Sequence, residues 1–243
     1  MTDLTFAVES IRAAQQVSGK PFAIVVAGHN GSGKSTMWYE RLASEFQIPL
    51  INADRMMMST LPEVAADKPL PFWATDLRDN DANWMQVAQS GVQAFVAQAM
   101  LRAAPFAMET VFSHWRDLGS GRFESKIDVI EDMQNAGYFV LLLFVGLSNA
   151  PLSIGRVATR IAKGGHAVNV DKLEQRFPRT QRAIREARAV ADATILVDNS
   201  RAESEAFTVC RVQQMSQRLY DIRDAGTAPA EILEWLEIVA PLN

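Results

Sequence analysis

The stretch Gly28-His29-Asn30-Gly31-Ser32-Gly33-Lys34-Ser35 constrains this chain more than any other, because it satisfies G-x-x-x-x-G-K-[ST]. It follows a β-branched run at 22–27 and opens a helical pattern at 34–46. The spacing has a physical basis. Glycines let backbone N–H groups close around phosphate oxygens with no Cβ in the way. The helix that follows points its positive end at the same oxygens. Lys34 reaches the β- and γ-phosphates, Ser35 supplies a hydroxyl for Mg²⁺, and Thr36 offers another. The expected nucleotide contacts are Gly28, His29, Asn30, Gly31, Ser32, Gly33, Lys34, Ser35 and Thr36. ATP and Mg²⁺ are the expected cofactors.

A strand–phosphate turn–helix unit needs a parallel sheet around it, and the rest of the chain reads that way. Apolar runs at 49–52, 106–109, 138–147 and 194–197 read as further strands. The continuous run at 138–147 is typical of a parallel strand buried on both faces. Helical patterns fall at 3–18, 81–103, 123–136, 149–164, 171–191 (interrupted or started near Pro178) and 229–239. Residues 55–80 read as irregular or broken helix, and 203–222 as either a hairpin or a helix. The expected fold is α/β, of the P-loop NTPase kinase-like type. It has a five-stranded, mostly parallel sheet sandwiched by helices, then a C-terminal β-hairpin and helix. With 243 residues, 48% of them apolar, a large core is available and one domain over 1–243 is predicted. A lid falls at about 155–180 and an appendage at about 201–243.

Other classes are excluded by what the chain lacks. The formal charge of −4 disfavours nucleic acid and anionic membrane as partners. Cys210 is the only cysteine, which suits a reducing cytoplasm and leaves no Cys-rich zinc site. The N-terminus has no signal-peptide pattern, and the longest apolar stretch is half a bilayer span. His29, His114 and His166 are too scattered for a zinc motif. No G-x-S-x-G elbow follows a strand. Leu118-Gly119-Ser120-Gly121-Arg122 only superficially resembles a transporter-ATPase signature.

A phosphate loop identifies a bound triphosphate and leaves the second substrate open. Ligands in such folds sit beyond the carboxyl ends of the strands. Those ends carry Asn52-Ala53-Asp54 and Glu109-Thr110, and the helix after 138–147 carries Arg156 and Arg160 on one face. A kinase needs this inventory: a carboxylate for the acceptor hydroxyl and cations for the migrating phosphoryl group.

These pieces together resemble the zeta-toxin family of P-loop kinases, and within it the chromosomal zeta-like branch. The match runs in order through 28–36, Asn52-Ala53-Asp54, Glu109-Thr110-Val111-Phe112-Ser113 and Arg156-Val157-Ala158. It continues through Arg160-Ile161-Ala162-Lys163-Gly164-Gly165-His166, Arg176-Phe177 and Asp198-Asn199-Ser200. The resemblance implies a kinase acting on a small-molecule acceptor, a nucleotide sugar such as UDP-N-acetylglucosamine. It implies Asp54 as the base at the acceptor hydroxyl, with Glu109, Thr110 and His166 contacting the acceptor. Lys34, Arg156, Arg160 and Arg176 would stabilise the transferred charge. An antitoxin protein is the implied macromolecular partner. Residues 55–80 carry no counterpart of a family motif, although acceptor specificity is expected there.

A second reading stays open: a nucleotide-dependent switch that acts through a protein partner. Acceptor-dependent ATP consumption separates the two. Charge is also unevenly spread. Between Arg156 and Arg188 nine basic residues face three acidic ones, a local +6 that leaves −10 for the remainder. A basic lid over an acidic protein suits small polyphosphate ligands.

Overall fold

The computed structural model describes residues 3–65, 68–120, 122–162, 164–165, 167–226 and 228–242, with Arg122 described by its backbone alone. The chain opens with α1 (Leu4–Ser18), whose N-cap Asp3 accepts from Phe6 N. β1 (Phe22–Gly28) is buried along its whole length and delivers the chain to the phosphate turn. One helical rod over 34–46 follows, made of α2 (Lys34–Met37), a π turn (Trp38–Leu42) and α3 (Ala43–Phe46). Then come β2 (Leu50–Ile51), α4 (Ala53–Met58), α5 (Phe72–Asn80) and α6 (Ala82–Leu101). β3 (Phe106–Thr110), β4 (Trp115–Gly119), β5 (Arg122–Ser125), α7 (Ile127–Asn135) and β6 (Phe139–Gly146) form the middle of the chain. α8 (Ala150–Ala162), α9 (Val170–Val190), β7 (Ala193–Asp198), β8 (Thr208–Gln214), β9 (Gln217–Asp221) and α10 (Ala230–Val239) complete it.

Seven strands make one sheet in the order β2-β3-β1-β6-β7-β8-β9. The first five are mutually parallel, and β8 and β9 continue the sheet antiparallel from β7. Successive side chains of a strand point to opposite faces, and here both faces are covered. Val25, Ala27, Leu142 and Phe144 pack on one side under α6, α7, α9 and α10. Ile24, Val26, Leu143 and Val145 pack on the other under α1 and the 34–46 rod. That two-sided burial is why β1 and β6 are apolar throughout. β1 lies between β3 and β6, so the phosphate turn sits mid-sheet, flanked by the ends of both.

The sheet corrects the expected strand count. Five parallel strands are present, but the C-terminal hairpin pairs with β7 and brings the sheet to seven. Pairing with β7 on one side and β9 on the other decides strand over helix for this segment, with Val209 and Val212 buried in one core layer and Cys210 in the other. The helix expected from Phe123 starts instead at Ile127, whose N–H donates to Ser125 Oγ. Phe123 belongs to the β4–β5 hairpin, where its ring packs 4.8 Å from that of Trp115. Residues 55–80 contain two separate helices, and Pro178 lies inside an unbroken α9. Among the described residues no helix is long and apolar enough to cross a membrane.

Gly146 ends β6 directly beneath Trp235 of α10. A Cβ there would lie 2.2 Å from Trp235 Cζ2. Gly146→Ala should destabilise the fold by about 1–3 kcal/mol, the usual range for overpacking. The readout is a lower urea midpoint at unchanged slope, partly restored by Trp235→Leu in the same chain. An unchanged midpoint would contradict this packing.

Candidate active site

The phosphate turn is held from four directions. Gly28 admits no side chain, since a Cβ would meet Val145 O at 2.5 Å and Ser32 Oγ at 2.7 Å. Gly33 has φ 88°, a conformation that favours glycine. It lies against Asn199 Nδ2, which donates to Ser32 O at 2.9 Å. From α8, Ser153 Oγ donates to Asn30 O at 2.7 Å. His29 is buried beneath the turn. Its Nδ1 accepts from Leu147 N at 3.2 Å, and its ring stacks on Phe177 of α9 with centroids 3.9 Å apart. Burial, followed by the nearby Lys34 charge, lowers the His29 pKa from 6.5 to about 3, with the Phe177 backbone opposing. His29 is therefore a neutral packing element of the loop.

Lys34 starts α2 and is buried. Its ammonium donates to Gly28 O at 3.1 Å and His29 O at 2.9 Å, and lies 4.0 Å from Glu109 Oε1. Burial lowers its pKa, the Glu109 and Asp54 carboxylates oppose that, and Arg160 adds to the lowering. These electrostatic effects place Asp54 and Arg160 within charge range of the lysine.

Glu109 is the centre of the cluster. Ser35 Oγ lies 3.0 and 2.8 Å from its two carboxylate oxygens and donates to them. Asn52 Nδ2 donates to Glu109 Oε2 at 2.7 Å. The Asn52 Oδ1 atom accepts from Arg55 N at 3.1 Å and so caps α4. One carboxylate thus links the ends of β2 and β3 to the start of α2. Asp54 stands in the first turn of α4, exposed to solvent, where the helix dipole favours an anion. Thr110 Oγ1 accepts from Phe112 N as the chain turns out of β3.

The three arginines differ in how they approach. Arg156 Cβ would lie 3.0 Å from a Cβ on Gly31, so its helix rests on the loop. Arg160 is one turn farther along α8. Arg176 is the residue before Phe177, which carries α9 onto His29. Thr36 is exposed on α2. His166 lies outside the described residues. Two cavities, of about 460 and 1020 Å³, contain none of these groups. Hydrogen bonding and charge single out the cluster.

A family model described as Zeta toxin matches residues 8–223. The chain belongs to the zeta-toxin family. As a member it is an ATP-dependent phosphotransferase. No curated protein matches the chain. Solved structures add the fold at low identity. The PezAT chromosomal toxin–antitoxin system of Streptococcus pneumoniae is 13% identical with a TM-score of 0.53, covering 98% of this chain and 88% of that one. The AvrRxo1-ORF1:AvrRxo1-ORF2 complex with sulphate ions is 12% identical with a TM-score of 0.60, covering 98% and 70%. The same pair with ATP is 12% identical with a TM-score of 0.58, covering 98% and 69%.

Motif spacing assigned no role to several residues around the site. Asn52 had a signal, being an N-cap residue type directly after a strand. Asn199 sat in a matched motif without an assigned role. Arg78 and Asp79 had no local signal, because their partners are 86 and 88 residues away. The Glu109 carboxylate, expected on the acceptor side, faces Ser35 of the phosphate loop.

The depressed pKa of His29 gives a pH signature. Its folded value, about 3, lies below the unfolded 6.5, so the unfolded chain binds the extra proton between them. Stability from the neutral ring is full above pH 6.5 and falls as pH drops toward 3. The slope is at most about 1.4 kcal/mol per pH unit. Chemical denaturation of wild type and His29→Gln should show their stability difference shrinking by up to about 2 kcal/mol from pH 6.5 to pH 5. A pH-independent difference would contradict a buried neutral imidazole.

Proposed function

We propose that this zeta-toxin family member transfers the γ-phosphoryl group of ATP to a hydroxyl of a small-molecule acceptor. A nucleotide sugar of the UDP-N-acetylglucosamine type is the proposed acceptor class. The observation that carries this reading is the cluster of Lys34, Ser35, Glu109 and Asn52, with Asp54 in charge range. It joins the phosphate loop to the strand ends where a second substrate binds in such folds.

In this reading Asp54 orients the acceptor hydroxyl and takes its proton. The acceptor oxygen bonds to the γ-phosphorus while the bond to the β–γ bridging oxygen breaks, and ADP leaves with that electron pair. Lys34, Arg156, Arg160 and Arg176 stabilise the charge on the phosphoryl oxygens. The loop N–H groups of residues 28–36 hold the phosphates. Thr110 and His166 belong to the acceptor side.

Mg²⁺ fits the donor set. Ser35 and Glu109 are adjacent oxygen ligands, the number a kinase site supplies when phosphates and water complete the shell. Among the described residues no group of three or more His, Cys, Asp or Glu side chains gathers into a metal site of its own. Ser35 and Glu109 would hold Mg²⁺, which would supply neutralisation of phosphate charge. We therefore assign Glu109 to the metal side, in place of the acceptor contact that the family resemblance implies. A protein partner of antitoxin type and a cytoplasmic location complete the reading; the pneumococcal relative belongs to a toxin–antitoxin system.

Two variants test the assignment. Asp54→Asn should keep ATP binding and lower transfer by about 10²–10⁴, the usual range for general base catalysis. Full transfer by that variant would remove the role. Glu109→Gln should raise the Mg²⁺ concentration for half-maximal nucleotide binding by roughly 10–100-fold, read by titrating Mg²⁺ against a fluorescent ATP analogue. An unchanged Mg²⁺ requirement would return Glu109 to the acceptor.

A further inference from the structure

Arg78 and Asp79 are consecutive residues in the last turn of α5. Neighbours in a helix do not ordinarily face each other. Here Arg78 Nε and Nη2 donate to Asp79 Oδ1 and Oδ2 at 2.9 and 2.7 Å, a bidentate pair. Arg78 is 8% exposed, an unusual place for a guanidinium without a task. Both residues also reach the same distant turn. Arg78 Nη1 donates to Gly164 O at 2.6 Å, and Asp79 Oδ1 accepts from Ala167 N at 3.2 Å. The pair therefore grips the α8–α9 connection on either side of 165–166.

That connection carries Arg160 with it. Gly165 N donates to Arg160 O at 2.9 Å. A Cβ on Gly165 would lie 2.6 Å from Arg160 Cγ, so the turn is packed against the arginine stem. Arg160 stands one turn beyond Arg156 on α8, the helix that lies against Gly31 of the phosphate loop. The helix that carries Arg160 rests on the phosphate loop through Ser153 Oγ, which donates to Asn30 O, and through Arg156 against Gly31, so the clamp at Gly164 and Ala167 holds the end of a helix whose middle touches the loop.

We infer that Arg78 and Asp79 are positioning residues: a clamp that fixes the α8–α9 turn and thereby holds Arg160 over the transferring phosphoryl group. The inference rests on the kinase reading of the site. It also gives α5 a task, linking the segment between Asp54 and α6 to the arginine-bearing helix. Lysine cannot replace Arg78, because a point charge lacks the planar fork that binds Asp79 with two donors and Gly164 with a third.

The experiment measures MgATP turnover and the Kd of MgAMPPNP for wild type, Arg78→Lys and Asp79→Asn. The asparagine variant keeps one oxygen to accept from Ala167 N and replaces the other with an NH₂ donor, so it removes the charge and one of the two bonds from Arg78. In both variants kcat should fall by about tenfold to a hundredfold, the penalty of a misplaced catalytic group. The Kd of MgAMPPNP should change by less than about threefold, since ground-state phosphate binding is retained. In an Arg160→Ala background Arg78→Lys should add less than about twofold, the mark of residues acting as one unit. An unchanged kcat, a parallel loss of kcat and nucleotide affinity, or full additivity with Arg160→Ala would overturn the clamp. A wild-type chain that fails to bind MgAMPPNP would overturn the kinase reading itself, whereas normal wild-type binding with additive variants overturns the clamp alone.

Discussion

A buried ammonium needs compensation, and the arrangement around Lys34 follows from that need. The side chain is almost fully enclosed by the loop whose carbonyls it binds. Its desolvation is offset by Glu109 at 4.0 Å and by Asp54 beyond it. Glu109 can serve because β3 pairs beside β1, with Val26 opposite Glu109 in register. Asp54 can serve because Asn52 caps α4 while holding the same carboxylate. The charge balance of one lysine thus ties the end of β3, with Glu109, and the residues after β2, with Asn52 and Asp54, to the phosphate loop.

Much of this was legible in the sequence because it is local. A strand, a glycine turn and a Lys-Ser pair are contiguous, and each residue's job follows from its own backbone conformation. The parallel strands were legible too, since burial on both faces leaves a continuous apolar run such as 139–146. What escaped was non-local. The hairpin at 208–221 alternates only partly, because both faces of β8 meet the core, Val209 and Val212 on one and Cys210 on the other, while β9 is largely exposed. Only pairing with β7 settles it as sheet. The β4–β5 hairpin is short, charged and stands apart from the main sheet, so it carries no periodic signal.

The same contrast holds at the site. Asp54 and Glu109 stood out as carboxylates at strand ends. That Glu109 pairs with Ser35, Lys34 and Asn52 did not, because the direction of a carboxylate is set by tertiary neighbours. Glu109 joins the loop hydroxyl and Asn52, so a residue expected on the acceptor side becomes the hinge between phosphate loop and acceptor segment. His29 fills a motif position with no fixed residue type, and its stacking on Phe177 depends on where α9 crosses. The local +6 of 156–188 likewise divides on inspection. Arg156, Arg160 and Arg176 stand on the helices that cross the loop, while Arg182 and Arg185 line a groove beside α7.

The central claim is that the phosphate loop and the strand-end carboxylates serve one phosphoryl transfer to a hydroxyl. The direct measurement is mass spectrometry of a metabolite mixture containing UDP-sugars, incubated with the protein and ATP labelled in its γ-phosphoryl oxygens. The account predicts an acceptor heavier by one labelled phosphoryl group, formed by wild type. Label recovered solely in inorganic phosphate, whatever acceptor is offered, would contradict it.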